Sequence, residues 1–293
     1  MFEYLKTDES VKLVDCGIAF IVGSTIKVIE PLSQEVVISV LGKYYAKHTT
    51  LLLEHHYNDL VGIIRNDKAD QAKGLIWQHL IMSALIGTEY TVEKFLSRFT
   101  GDTFPTSWAT SACFNIDSAG KIGLLELKYK RKFRDEIDVL EAMIKGEIDN
   151  FMLEPSNLMR PDGIYLKMHG NNKWEFFSIQ VSCKILASNL SGKDTDADFR
   201  STDFTKLYQK QDDTGSAVPH MQEKLHNMLK PFKHIGSLRI HCILPGITEP
   251  SNEKYGKCGV KGNDIVLYID GTNLEEFLGV ELTRSVLNLL DHQ

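Results

Sequence analysis

Arg160-Pro161-Asp162-Gly163-Ile164-Tyr165-Leu166 and Phe176-Phe177-Ser178-Ile179-Gln180-Val181-Ser182-Cys183-Lys184 decide the fold of this chain. The first stretch is a turn that carries a carboxylate into a strand. The second is an apolar strand with polar groups on alternate positions. In extended backbone successive side chains point to opposite faces, so Gln180, Ser182 and Lys184 line one surface while Val181 and Cys183 pack behind it. A hairpin joining the two strands brings Asp162 alongside. An acid, a carbonyl oxygen and an ammonium converging there can hold a divalent ion and stabilise charge on a phosphate. The plainer reading is a hairpin whose polar face meets water.

Working outward, residues 74–86 hold Leu75, Ile76, Trp77, Leu80, Ile81, Ala84 and Leu85, the spacing of a strongly apolar helix, with Gln78 and His79 its only internal polar residues. Residues 17–22 and 25–29 read as two short strands. Pro31 opens a helix over 32–45, and 51–64 continues as another. The stretch 100–118 is rich in loop residues, 122–129 reads as a strand, and 134–145 as a helix ending near Gly146. Residues 188–218 are polar, without a clear period, and read as a flexible insertion or lid. A helix over 221–229, strands over 238–244 and 265–269, and a helical tail over 273–290 complete the chain. This order predicts an α/β (or α+β) sandwich with a central mixed sheet flanked by helices over 65–293, preceded by a small helical and hairpin segment at 1–64.

The chain has 293 residues, 43% hydrophobic and 25% charged, which is an ordinary globular composition with ample core. A net charge of −6 excludes a global basic footprint for nucleic acid, so any such binding needs a local patch, for which Lys121, Lys128, Lys130, Arg131, Lys132 and Arg134 are the densest candidate. The five cysteines are scattered and form no CxxC pair, which argues for reduced thiols inside the cell and against a disulfide scaffold or zinc knuckle. The first residues lack the order of a signal peptide, and no apolar run approaches ~18 residues, so no membrane span is expected.

A helix, then a hairpin with an acid on one strand and Gln on the next, then helix and strand, resembles the PD-(D/E)xK restriction-endonuclease-like superfamily. More narrowly, the run from Glu154 through Arg160-Pro161-Asp162-Gly163, followed by Ser178-Ile179-Gln180-Val181, is similar to the nuclease-like domain of Crinkler-type effectors and related fungal and oomycete proteins. Residues 237–245 and 264–274 are similar to that family's later strands, and 13–17 with 30–32 to the segment joining its upstream ATPase to the nuclease domain. The resemblance implies a restriction-endonuclease-like core and Mg²⁺ (or Mn²⁺)-dependent phosphodiester hydrolysis. In this sequence Asp162 and Gln180 would hold the metal.

The family's lysine does not match: its place is Ser182. Lys184 keeps the strand parity, roughly 6.6 Å further on at ~3.3 Å per residue, and is the candidate to take over its role. Gln78 stands where the family often has Glu. A rival site is Asp117 with Glu126-Leu127-Lys128, an E-x-K whose Glu and Lys would share a face if 122–129 is a strand. His55, His56 and Asp59 suggest no third metal ligand, and Gly23-Ser24-Thr25 lacks P-loop spacing. The expectation is a metal-dependent endonuclease, effector-like, acting on DNA ahead of RNA. It would be intracellular and, if an effector, in a host nucleus, with an ATPase or another protein as a further partner. The second expectation is a catalytically silent nuclease-fold protein that binds nucleic acid or a protein partner.

Overall fold

A computed structural model describes residues 3–5, 19–22, 25–28, 70–87, 89–100, 107–156, 159–170, 174–186, 199–208, 217–246 and 258–291. The expected helices at 32–45 and 51–64 lie outside the described residues. Within the N-terminal segment, strands β1 (Glu3–Leu5), β2 (Ala19–Val22) and β3 (Thr25–Val28) form an antiparallel sheet in the order β1-β3-β2, with the expected hairpin as its β2–β3 part.

Helix α1 (Asp70–Ala84) forms because Trp77, Leu80, Ile81 and Ala84 recur at helical spacing and make one apolar stripe. Trp77, Leu80 and Ile81 are fully buried, and Trp77 Nε1 donates to Cys242 O at 3.3 Å. After it come β4 (Glu89–Thr91), α2 (Val92–Thr100) and β5 (Cys113–Asn115), the two strands pairing antiparallel. Then follow β6 (Ser118–Gly120), α3 (Ile122–Tyr129), α4 (Glu136–Ile144), β7 (Phe151–Leu153), β8 (Gly163–Met168) and β9 (Glu175–Ile185). A 3-10 turn (Phe204–Lys206), α5 (Ala217–Leu229), β10 (Lys233–Leu244), β11 (Cys258–Lys261), β12 (Asp264–Ile269), α6 (Leu274–Leu278) and α7 (Val280–Asp291) complete the chain.

Seven strands make one mixed sheet in the order β11-β12-β10-β9-β8-β7-β6. β7, β8 and β9 form an antiparallel meander, β9 and β10 run parallel, as do β10 and β12, and β6 runs parallel to β7. One face, with Tyr165, Phe177, Ile179, Val181, Ile240 and Cys242, packs on Trp77, Leu80 and Ile81 of α1. The other, with Ile164, Leu166 and Phe176, packs on Ile137, Leu140 and Met143 of α4 and Leu225 of α5. The result is a mixed α/β sandwich of three layers. No helix among the described residues is long and apolar enough to cross a membrane.

The strand expected over 122–129 is corrected: Ile122–Tyr129 is helix α3, ended by Lys130 at φ 52°. Eight residues mixing Ile122, Leu124 and Leu125 with Glu126 and Lys128 fit either period, and the buried Leu125 belongs to the α4 side of the core. Just before it, Ser118–Gly120 forms the edge strand β6. The helical tail is broken in two by Gly279 at φ 83°, a conformation glycine adopts without strain. Within the expected insertion at 188–218, residues 199–208 pack onto the sheet: Phe204, Leu207 and Tyr208 are buried.

Candidate functional site

The β8–β9 register sets the hairpin's chemistry. Gly163 lies opposite Val181 and Ile164 opposite Gln180, so the ladder extended by one step puts Asp162 opposite Ser182 and diagonal to Gln180. At that step β8 has run out of regular pairing. Asp162 N donates to Val181 O at 2.8 Å, and Asp162 Oδ2 accepts from Cys183 N at 2.6 Å. The carboxylate thus caps the ladder where a main-chain carbonyl would stand.

Gln180, Ser182 and Lys184 occupy one face of β9, as its alternation requires, and Val181 and Cys183 pack against α1 on the other. At Gln180 and Ser182 this polar face does not meet water. Gln180 is 0% exposed and Ser182 4%, while Lys184 is half-buried. Among the described residues neither Oε1 nor Nε2 of Gln180 has a hydrogen-bond partner. Beside them on β10, Arg239 is the register partner of Gln180 and His241 of Ser182. Arg239 Nη2 is ion-paired with Asp264, whose Oδ1 also accepts from Ser237 N at 3.2 Å.

Gln78, on α1, donates from Nε2 to the main-chain oxygen of Asp162 at 3.1 Å, so it positions the loop before β8. Asp162 and Gln78 both line a cavity of ≈ 620 Å³ at the ends of β6, β7 and β8, between α1 and α4. Glu136, Glu154, Lys121 and Arg160 line it as well. Glu154 is buried, with Oε2 3.6 Å from His79 Nε2, and buried Glu136 accepts from Ser156 N at 3.1 Å. With three acidic and two basic residues in its lining, this is a polar chamber that can hold a charged, hydrogen-bonding ligand. None of Glu136, Glu154, Arg160 and Arg239 was expected as a site residue, although Glu154 and Arg160 stand in the run that carries the resemblance.

The rival set is divided by the helix at 122–129. Glu126 accepts from Lys132 Nζ at 2.8 Å and Phe133 N at 2.9 Å, and the Lys132 ammonium holds its carboxyl below the usual range. Lys128 donates to Ser118 Oγ at 3.1 Å, and burial lowers its pKa against the opposing pull of Asp117. Asp117 and Lys128 are neighbours, whereas Glu126 turns to the loop that follows α3, so no strand face carries the three together.

No trio of His, Cys, Asp or Glu able to hold a metal occurs among the described residues. The donors beside the hairpin are an aspartate and a buried amide oxygen without a partner. This all-oxygen set fits a hard divalent cation that takes most of its shell from water and substrate. Set against family models, curated proteins and solved structures, the chain matches none of them, and the site stands on its own geometry.

Proposed function

We propose that this protein is a metal-dependent nuclease with a restriction-endonuclease-like core, hydrolysing phosphodiester bonds in DNA ahead of RNA, with Asp162 and Gln180 as the residues that would hold Mg²⁺ or Mn²⁺. The observation that carries the reading is the register: Asp162 sits just before β8, diagonal to Gln180 on β9, and lines a cavity. The order of α1, hairpin β8–β9, α5 and strand β10 supports the reading, since helix, hairpin, helix and strand is the order on which the resemblance rests.

The bound cation would supply Lewis-acid polarisation of the phosphate. The chain's own groups do the rest. Gln78 fixes the backbone at Asp162, the Cys183 N–H orients the carboxylate, and Lys184, on the strand face of Gln180, is the candidate to stabilise charge on the phosphate. Effector activity and a nuclear site of action belong to the same reading and rest on the resemblance alone.

A second reading is favoured by one observation: Gln180 is 0% exposed and Ser182 4%. It holds that the fold persists as a silent module binding nucleic acid or a protein. Plasmid nicking with Mg²⁺ or Mn²⁺ separates the two. The nuclease reading expects metal-dependent nicking that Asp162→Ala reduces by at least about a hundredfold, the scale of losing a positioned charge-stabilising group. Nicking unchanged in Asp162→Ala, or no nicking together with a mobility shift of the same DNA, supports the silent reading or a different site.

A further inference from the structure

The face of β9 and β10 that carries Gln180 is crossed by a strap, residues 199–208. Thr202 Oγ1 and His241 Nε2 are hydrogen-bonded at 3.0 Å, and Asp203 Oδ1 lies 3.7 Å from Arg239 Nη2. Phe204 packs edge-on against Phe176 with centroids 5.7 Å apart and lies 4.9 Å from the His234 ring. At its far end Leu207 O accepts from Arg160 N at 3.0 Å, two residues before Asp162. Since His241 and Arg239 are the register partners of Ser182 and Gln180, the strap runs from β10 to the start of β8 over the row that holds Gln180.

Two buried groups beneath the strap are chemically incomplete. Gln180 has no partner for either amide atom, and Arg239, 5% exposed, has none for Nε or Nη1 among the described residues. Its remaining nitrogen meets two carboxylates. Asp264 is built into β12 and holds the guanidinium from within the sheet. Asp203 arrives on the strap, with Phe199 stacked over the guanidinium at 4.9 Å and Lys261 4.4 Å from the same ring. A guanidinium is a planar fork whose donors match carboxylate and phosphate alike. Of its two acids, the one on the irregular segment is the exchangeable one.

We propose that Arg239 is a phosphate-binding residue and that Asp203 on the strap is its built-in competitor, occupying the position a phosphate takes when the strap lifts. This rests on the reading of the site as one that acts on phosphodiesters. It supplies the positive charge that Ser182 does not. With the strap displaced, the open N–H groups of Arg239 and the amide of Gln180 face the same ligand, and Lys184 and Lys261 add charge at the edge of that face.

The test titrates inorganic phosphate into the whole protein and follows both binding and the amide exchange of residues 199–208. Asp203→Asn should tighten phosphate binding about tenfold, within the usual range for coupled equilibria, and Asp203→Asn with Arg239→Lys should lose that gain. In the wild type, saturating phosphate should speed exchange across 199–208, a readout that needs no variant and so survives misfolding of either. Equal phosphate affinity in wild type and Asp203→Asn overturns the proposal, as does a gain that persists with Arg239→Lys or exchange that phosphate leaves unchanged. Phosphate binding through Arg239 without DNA cleavage keeps this inference and sinks the nuclease reading. Cleavage without the phosphate response does the reverse.

Discussion

Gln180 concentrates the conflict between folding and function in one side chain. A buried amide without partners costs about 1–3 kcal/mol relative to an apolar group of similar shape. Methionine has nearly the same length and no donors, so Gln180→Met should raise stability by about that amount in a urea titration while abolishing metal-dependent nicking. A loss of stability would mean that the amide is satisfied in the folded protein, and would remove the reason for assigning it a role. That Gln180 would share a face with Ser182 and Lys184 was legible from strand alternation alone. That this face would be sealed was not, because burial depended on residues 199–208, whose polar sequence carries no period. Arg239 escaped notice for a related reason: within the strand expected over 238–244 nothing local marks it, and only the parallel pairing with β9 places it beside Gln180.

At the scale of elements, the strap is held by charge as well as by Phe204. Burial pushes the Asp203 carboxyl upward, but the Thr205 hydrogen bonds and the Arg239 guanidinium outweigh it, so its pKa lies below the ordinary 3.8. A depressed carboxylate stabilises the fold fully above the unfolded value, and that contribution is lost as pH falls through the folded one. The strap should therefore stay docked through neutral pH and loosen only below about pH 3.8. Asp264 and Asp162 also border this face, so the role of Asp203 is read from the difference between the wild type and a variant. In Asp203→Asn the amide resonances of 199–208 should already be shifted at neutral pH, and their remaining acid response should be smaller. Identical titrations in the two proteins would show that Asp203 does not hold the strap. Helix α3 gives the opposite lesson about legibility. Its eight residues gave no period that excludes a strand, and its placement was settled by the burial of Leu125 and the left-handed Lys130. The longer runs at α1, β9 and β10 left no such ambiguity.

For the whole molecule, β9 is the shared wall of two apolar layers. Ile179 faces the α1 side, and Leu166 of neighbouring β8 faces the α4 side. Because one sheet joins the layers, unfolding should be a single transition. Ile179→Ala and Leu166→Ala should each cost about 2–5 kcal/mol and move the same midpoint, whether followed by far-ultraviolet dichroism or by the fluorescence of buried Trp77 and Trp108. Midpoints that separate between the two probes would mean that the layers unfold independently. Trp174, 63% exposed at the start of β9, should respond to a soluble quencher in the native state and so can be subtracted.

The parallel pairing of β9 with β10 has a consequence for how this architecture can change over time. Parallel neighbours cannot be joined by a tight turn: the chain must leave one end of the sheet and travel back to the other. Here that return journey is residues 186–232, and the strap is a stretch of it. The cover over Gln180 is therefore no appendage that a deletion could remove, since cutting it out would sever the route that makes β9 and β10 neighbours. Lengthening is the inexpensive direction, because each doubling of a flexible connection costs only about 0.6 kcal/mol. Variation in related chains should accordingly appear as altered length and charge along this return path, tuning how firmly the face is closed while the strands beneath keep their pairing.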